Sequence, residues 1–118
     1  MNNFKELIAW QKARKLHKEI YILTKQFPKE EQFGLTSQIL RSAASICANI
    51  AEGCGRNTDA DLCRFLDIAN GSAFELESHL ILCTDVELIA EQEFTKLEMA
   101  LHEVQKLIYS FRESKSKR

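Results

Sequence analysis

Turn-forming residues are scarce in this chain of 118 residues: Pro28 is its only proline, and it has only four glycines. A sheet protein needs frequent turns, so this scarcity points away from strands and toward long uninterrupted helices. Long apolar runs are missing too. No segment approaches the roughly 20 apolar residues that span a bilayer, and residues 1–6 lack the pattern of a signal peptide. The expected location is therefore cytoplasmic, with no membrane. The four cysteines, Cys47, Cys54, Cys63 and Cys83, include no Cys-x-x-Cys pair. Structural zinc sites usually need such close pairs, so the thiols are expected to be reduced, buried and apolar in behaviour.

What is present is the composition of one ordinary globular domain, 45% hydrophobic and 28% charged, at a length that buries a real core. The net charge is only −1, but it is unevenly spread. Residues 1–29 hold seven Lys/Arg against two Glu, residues 71–111 two against eight acids, and residues 112–118 four against one. This makes both ends basic and the second half of the body acidic, which suits a local basic surface or basic and acidic helices lying side by side.

Four amphipathic segments follow. Ala13, Leu16, Ile20, Leu23 and Phe27 recur at spacings of three and four and predict a first helix over about 4–26, stopped by Pro28. A second, over about 36–54, opens with Thr36 or Ser37 as its cap and ends at Gly53 to Gly55. This helix carries three stripes: Leu35, Ile39, Ala43, Ile46 and Ile50; Leu40, Ala44, Cys47, Ala51 and Cys54; and the polar Gln38, Ser42, Ser45, Asn49, Glu52 and Arg56. Two apolar stripes exceed what one narrow seam covers, and Ala48 stands where a solvated helix usually carries charge. Burial inside the bundle and against neighbouring subunits is the expectation, with Ala44, Ala48, Ala51 and Gly71 at the bundle or subunit contacts.

A third helix, over about 58–86, opens at Thr58-Asp59-Ala60-Asp61, a hydroxyl cap followed by acids that favour the helix N-terminus. Its second face, Phe65, Ile68, Phe74 and Ile81, is also apolar, and Gly71 sits mid-helix, where close helix approach is the expected reason. A fourth helix covers about 91–112, and residues 113–118 read as a basic, flexible tail. Short connections between four helices favour an all-α, antiparallel up-down-up-down bundle over 1–112.

Catalytic constellations do not emerge. Glu75/His79 and Glu98/His102 are spaced by four, whereas di-metal bundles use Glu-x-x-His, so these read as surface or interface pairs and neither a metal nor a cofactor is expected. Gly53-Cys54-Gly55-Arg56 lacks the strand and lysine of a phosphate loop. The polar positions Gln38, Ser45, Asn49, Glu52, Arg56 and Glu75 are expected to form an interhelical network that fixes register, with a polar cleft as the alternative. Lys12 and Lys15 belong to a lysine-rich face of the first helix that is interrupted by Ile8 and Ile22.

Several blocks together resemble a known family. They are Leu7-Ile8-Ala9-Trp10-Gln11-Lys12-Ala13, then Tyr21 to Pro28 with Phe33-Gly34-Leu35-Thr36-Ser37-Gln38, then Asn49-Ile50-Ala51-Glu52-Gly53 with Gly55-Arg56, and finally residues 65–77, Phe65-Leu66-Asp67-Ile68-Ala69-Asn70-Gly71-Ser72-Ala73-Phe74-Glu75-Leu76-Glu77. In this order they resemble the helical proteins first noticed as reading frames within intervening sequences of bacterial 23S ribosomal RNA genes. The resemblance implies an antiparallel four-helix bundle, assembly as a ring-like homopentamer, and no assigned catalytic activity. The accessory protein of diversity-generating retroelements, which binds nucleic acid and a reverse transcriptase, looks similar.

That family often has two arginines where this chain has Leu40-Arg41, and proline where Cys47 stands, so helix two is expected to be straighter here. The resulting expectation is a non-enzymatic homo-oligomeric scaffold that holds structured RNA or DNA through Arg41, Arg56, Arg64, Lys12 and Lys15. A protein-interaction adaptor is the alternative.

Overall fold

The computed structural model describes residues 3–116. Four helices carry it, α1 Ile8–Thr24, α2 Leu35–Cys54, α3 Asp59–Asp85 and α4 Glu91–Ser116, with no strand among the described residues. They form an elongated four-helix bundle of 47 × 24 × 20 Å, each helix packing on its neighbour in sequence and α4 returning to α1.

Local chemistry sets the helix ends. Residues 4–6 form a separate 3-10 turn, capped by the Asn3 side chain, and Leu7 is extended, so α1 begins later than its apolar spacing suggested. Phe4 meets Trp10 edge-on, with ring centroids 5.0 Å apart, and holds this turn against the bundle. At the other end, the amides of Lys25, Gln26 and Phe27 bond three residues back, to Ile22, Leu23 and Thr24, which tightens the chain out of α-helical geometry before Pro28.

Helix α2 starts at Leu35 behind Gly34, whose carbonyl accepts the Gln38 amide at 3.0 Å. Neither Thr36 nor Ser37 is the cap, and the Thr36 hydroxyl is buried with no hydrogen-bond partner among the described residues. The Thr58 hydroxyl does cap α3, accepting the Asp61 amide at 3.1 Å.

The α3–α4 connection turns on Glu87, which adopts a left-handed conformation at φ 65°. The Leu88 amide then reaches back to the Cys83 carbonyl at 2.9 Å, and Ile89 tucks into the core. This is the six-residue closure that usually employs glycine. Helix α4 continues through Ser116, so residues 113–116 of the expected flexible tail are helical; residues 117–118 lie outside the described residues.

The core is one continuous cluster. Leu16 and Ile20 of α1, Ile39, Ile46 and Ile50 of α2, Leu66, Leu76 and Leu80 of α3, and Leu101 and Val104 of α4 are all essentially inaccessible. Cys54, Cys63 and Cys83 are buried and Cys47 is half-buried. All four thiols are free, and burial pushes those of Cys47 and Cys83 up to about 11 from an ordinary value of 9.

Two packing expectations change. Gly71 faces open space, with nothing within 4 Å of where its side chain would be, so it does not mediate helix approach within the chain. Gly53 does: a Cβ there would lie 3.0 Å from both Leu62 Cδ1 and Phe65 Cβ. Ala44 and Ala48 are exposed in the single chain, and Ala51 is half-buried.

Candidate functional site

The close α2–α3 approach brings Arg56, just past the end of α2, against the first turns of α3. Arg56 and Arg64 both lie over the Phe65 ring, with guanidinium carbons 5.0 and 5.1 Å from its centroid. They share one acid, Asp61, at 3.7 and 3.9 Å. A ring under two guanidinium planes holds them near each other through cation–π attraction. Two guanidinium groups thus meet an aromatic ring and one half-exposed carboxylate at this corner, and guanidinium forks are groups that can recognise phosphate and bases.

The other expected cations lie elsewhere. Arg41 projects from α2 about 20 Å away along the helix axis. Lys12 pairs with Glu103 of α4 at 3.5 Å, and Lys15 is exposed on α1. Of the five expected cations, Arg56 and Arg64 are the two that meet at this corner.

The polar stripe of α2 divides in the same way. The hydroxyls of Ser45 and Ser72 meet at 2.7 Å across the α2–α3 seam, and the Asn49 amide donates to the Ser45 hydroxyl at 3.1 Å and carbonyl at 2.9 Å. Ser72 is the partner that sequence spacing did not identify. Ser42 is buried and donates back to the Gln38 and Ile39 carbonyls, so it satisfies itself within its own helix. Glu52 is exposed and Arg56 turns to Asp61, so these two do not close the end of the network. Glu75 pairs with His79 one turn along α3, at 3.4 Å.

The α3–α4 seam carries polar rungs that sequence spacing also missed. Arg112 donates Nε and an Nη to the two oxygens of Asp67 at 2.7 and 3.1 Å, a forked contact that raises the guanidinium pKa. Gln105 donates to Asn70 at 3.2 Å, and His102 meets Glu77 at 3.2 Å. Beside these rungs Phe74 and Tyr109 stand 59% and 64% exposed and line a shallow groove with Asn70, Gln105 and Lys106. No combination of nucleophile, base and orienting acid occurs among these contacts.

Fold and surface together define a small all-helical bundle. A family model described as 23S rRNA-intervening sequence protein matches residues 5–110. The chain belongs to that family. Among solved structures it is similar to a protein of unknown function from the S23 ribosomal protein family of Bacteroides thetaiotaomicron VPI-5482, with 30% identity and a TM-score of 0.82, over 89% of this chain and 98% of that one. No curated protein matches it. Among the described residues no helix is long and apolar enough to cross a membrane.

Proposed function

We propose that this chain is a non-enzymatic helical scaffold that self-associates, as a homopentamer, and holds structured RNA against the corner formed by Arg56, Phe65 and Arg64. The observation that carries the assembly is the outer face of α3. Ile68, Phe74, Ile81, Leu82 and Val86 are between 43% and 59% exposed there, and Glu75 and Asp85 are the only exposed acids within residues 68–86. So much large apolar surface on one helix marks an association face, and Gly71 at its centre lets a neighbour come close. An antiparallel up-down-up-down course is supported by the α3–α4 rungs, since Asp67, Asn70 and Glu77 meet Arg112, Gln105 and His102 in reverse order. The family's link to ribosomal RNA genes supports RNA as the ligand, and the free thiols support a cytoplasmic setting.

The test combines light scattering with fluorescence anisotropy on a labelled hairpin RNA at increasing salt. A stable multimer at micromolar concentration is expected. RNA affinity should fall steeply with salt, and Arg56→Gln/Arg64→Gln should reduce the magnitude of that slope by about two. A monomer, or no RNA binding at low ionic strength, would refute the corresponding half of the proposal.

The Phe74–Tyr109 groove favours a second reading, a protein adaptor resembling the accessory protein of diversity-generating retroelements. Recovery of a specific protein partner after nuclease treatment, lost in Tyr109→Ala, would support it over RNA binding.

A further inference from the structure

The rungs of the α3–α4 seam differ in which cations meet their acids. Arg112 forks onto Asp67 and has Glu113 4.0 Å from its other Nη, and the Gln105–Asn70 contact joins two neutral amides. At the third, Glu77 of α3 meets His102 of α4, and Glu98, one turn before His102, brings a second carboxylate to the same point. One ligand atom from each of Glu77, Glu98 and His102 lies within 4.8 Å of the others, and no lysine or arginine pairs with either glutamate among the described residues. Glu77 is sheltered between the helices, its side chain 20% exposed. An unbalanced carboxylate is more costly there than in open solvent.

We propose that Glu77, Glu98 and His102 form a binding site for a divalent first-row transition-metal ion that joins α3 to α4. The i,i+4 spacing sets Glu98 and His102 one above the other on α4, and Glu77 completes the set from the facing helix. Donors that share an ion at about 2.0–2.2 Å lie about 3–4 Å from one another, so small side-chain rotations bring these three into range. The imidazole selects the ion: Mg²⁺ and Ca²⁺ favour all-oxygen sites, whereas Zn²⁺, Co²⁺ and Ni²⁺ accept mixed nitrogen and oxygen ligands. Two carboxylates neutralise the divalent charge. His102 is about half exposed, which leaves the remaining coordination positions to water. Glu75 and His79 do not make an equivalent site, since no third ligand joins them among the described residues.

The probe is Zn²⁺ alone, titrated calorimetrically into the chelator-stripped full chain, with thermal unfolding followed by circular dichroism. One saturable site is expected, with Zn²⁺ raising the unfolding temperature of the wild type by mass action. Glu98→Gln, at a half-buried position, and His102→Gln, at an exposed one, should each weaken binding by at least about tenfold and remove the thermal shift, whereas His79→Gln should change neither. Absence of saturable binding would overturn the proposal. Binding that persists in His102→Gln, a loss in His79→Gln as large as in His102→Gln, or Mg²⁺ binding tighter than Zn²⁺ would also overturn it.

Discussion

Replacing Gly53 and Gly71 by alanine should move stability in opposite directions, and the difference between the two variants isolates helix packing. Both glycines are helical, so alanine brings each a propensity gain of up to about 1 kcal/mol, smaller at Gly53 because α2 ends one residue later. Gly71 has nothing within 4 Å of its added Cβ in the chain itself, so Gly71→Ala should show that gain alone in the stability of the chain, apart from any effect on assembly. At Gly53 the new methyl lies 3.0 Å from Leu62 Cδ1, 3.0 Å from Phe65 Cβ and 3.3 Å from the Leu62 carbonyl oxygen, against an optimal carbon–carbon separation of about 3.5–4.0 Å.

Leu62 Cδ1 can rotate away, but the Phe65 Cβ and the Leu62 carbonyl belong to α3 itself, so the helices must separate. Overpacking of this kind costs about 1–3 kcal/mol, which leaves Gly53→Ala destabilised by about 1 kcal/mol and the two variants about 2 kcal/mol apart. Urea denaturation monitored by far-ultraviolet circular dichroism measures the difference. Light scattering run alongside separates chain unfolding from loss of assembly at Gly71. Equal stability of the two variants, or Gly53→Ala more stable than Gly71→Ala, would refute the close approach.

Three further predictions concern other parts of the bundle. In a double-mutant cycle on Ser45→Ala and Ser72→Ala, each single variant should lose about 1 kcal/mol and the pair should couple by about 0.5–1 kcal/mol, because the 2.7 Å bond is made only between them; strict additivity would argue against it. Glu87→Gly should stabilise the chain by about 1 kcal/mol by relieving the left-handed backbone at φ 65°, and a lower denaturation midpoint would contradict this. Burial raises the Cys47 and Cys83 thiols to about 11 from 9, so the unfolded chain loses these protons first. The thiols' contribution to stability should therefore be constant below about pH 9 and be lost from there to about pH 11, a loss that Cys47→Ala and Cys83→Ala reduce in thermal melts.

The sequence by itself determined four helices, because apolar residues recurring every three or four positions leave one stripe to bury and the single proline falls between two such patterns. It also showed the Thr58 cap, where hydroxyl and acids are contiguous in the chain. It misjudged the start of α2 because Thr36 and Ser37 are both plausible caps, whereas packing pulled the first turn back to Gly34. The two glycines show the same limit: nothing in their flanking residues says that Gly53 faces α3 and Gly71 faces outward.

Only the tertiary structure decided which side chains meet. Arg56 and Arg64 come together over Phe65, Ser45 finds Ser72 27 positions away, and Glu77 reaches His102 25 positions away. Helical periodicity fixes which residues share a face. The rotation and register of one helix against the next depend on how the whole core interlocks, and no local stretch of sequence records that.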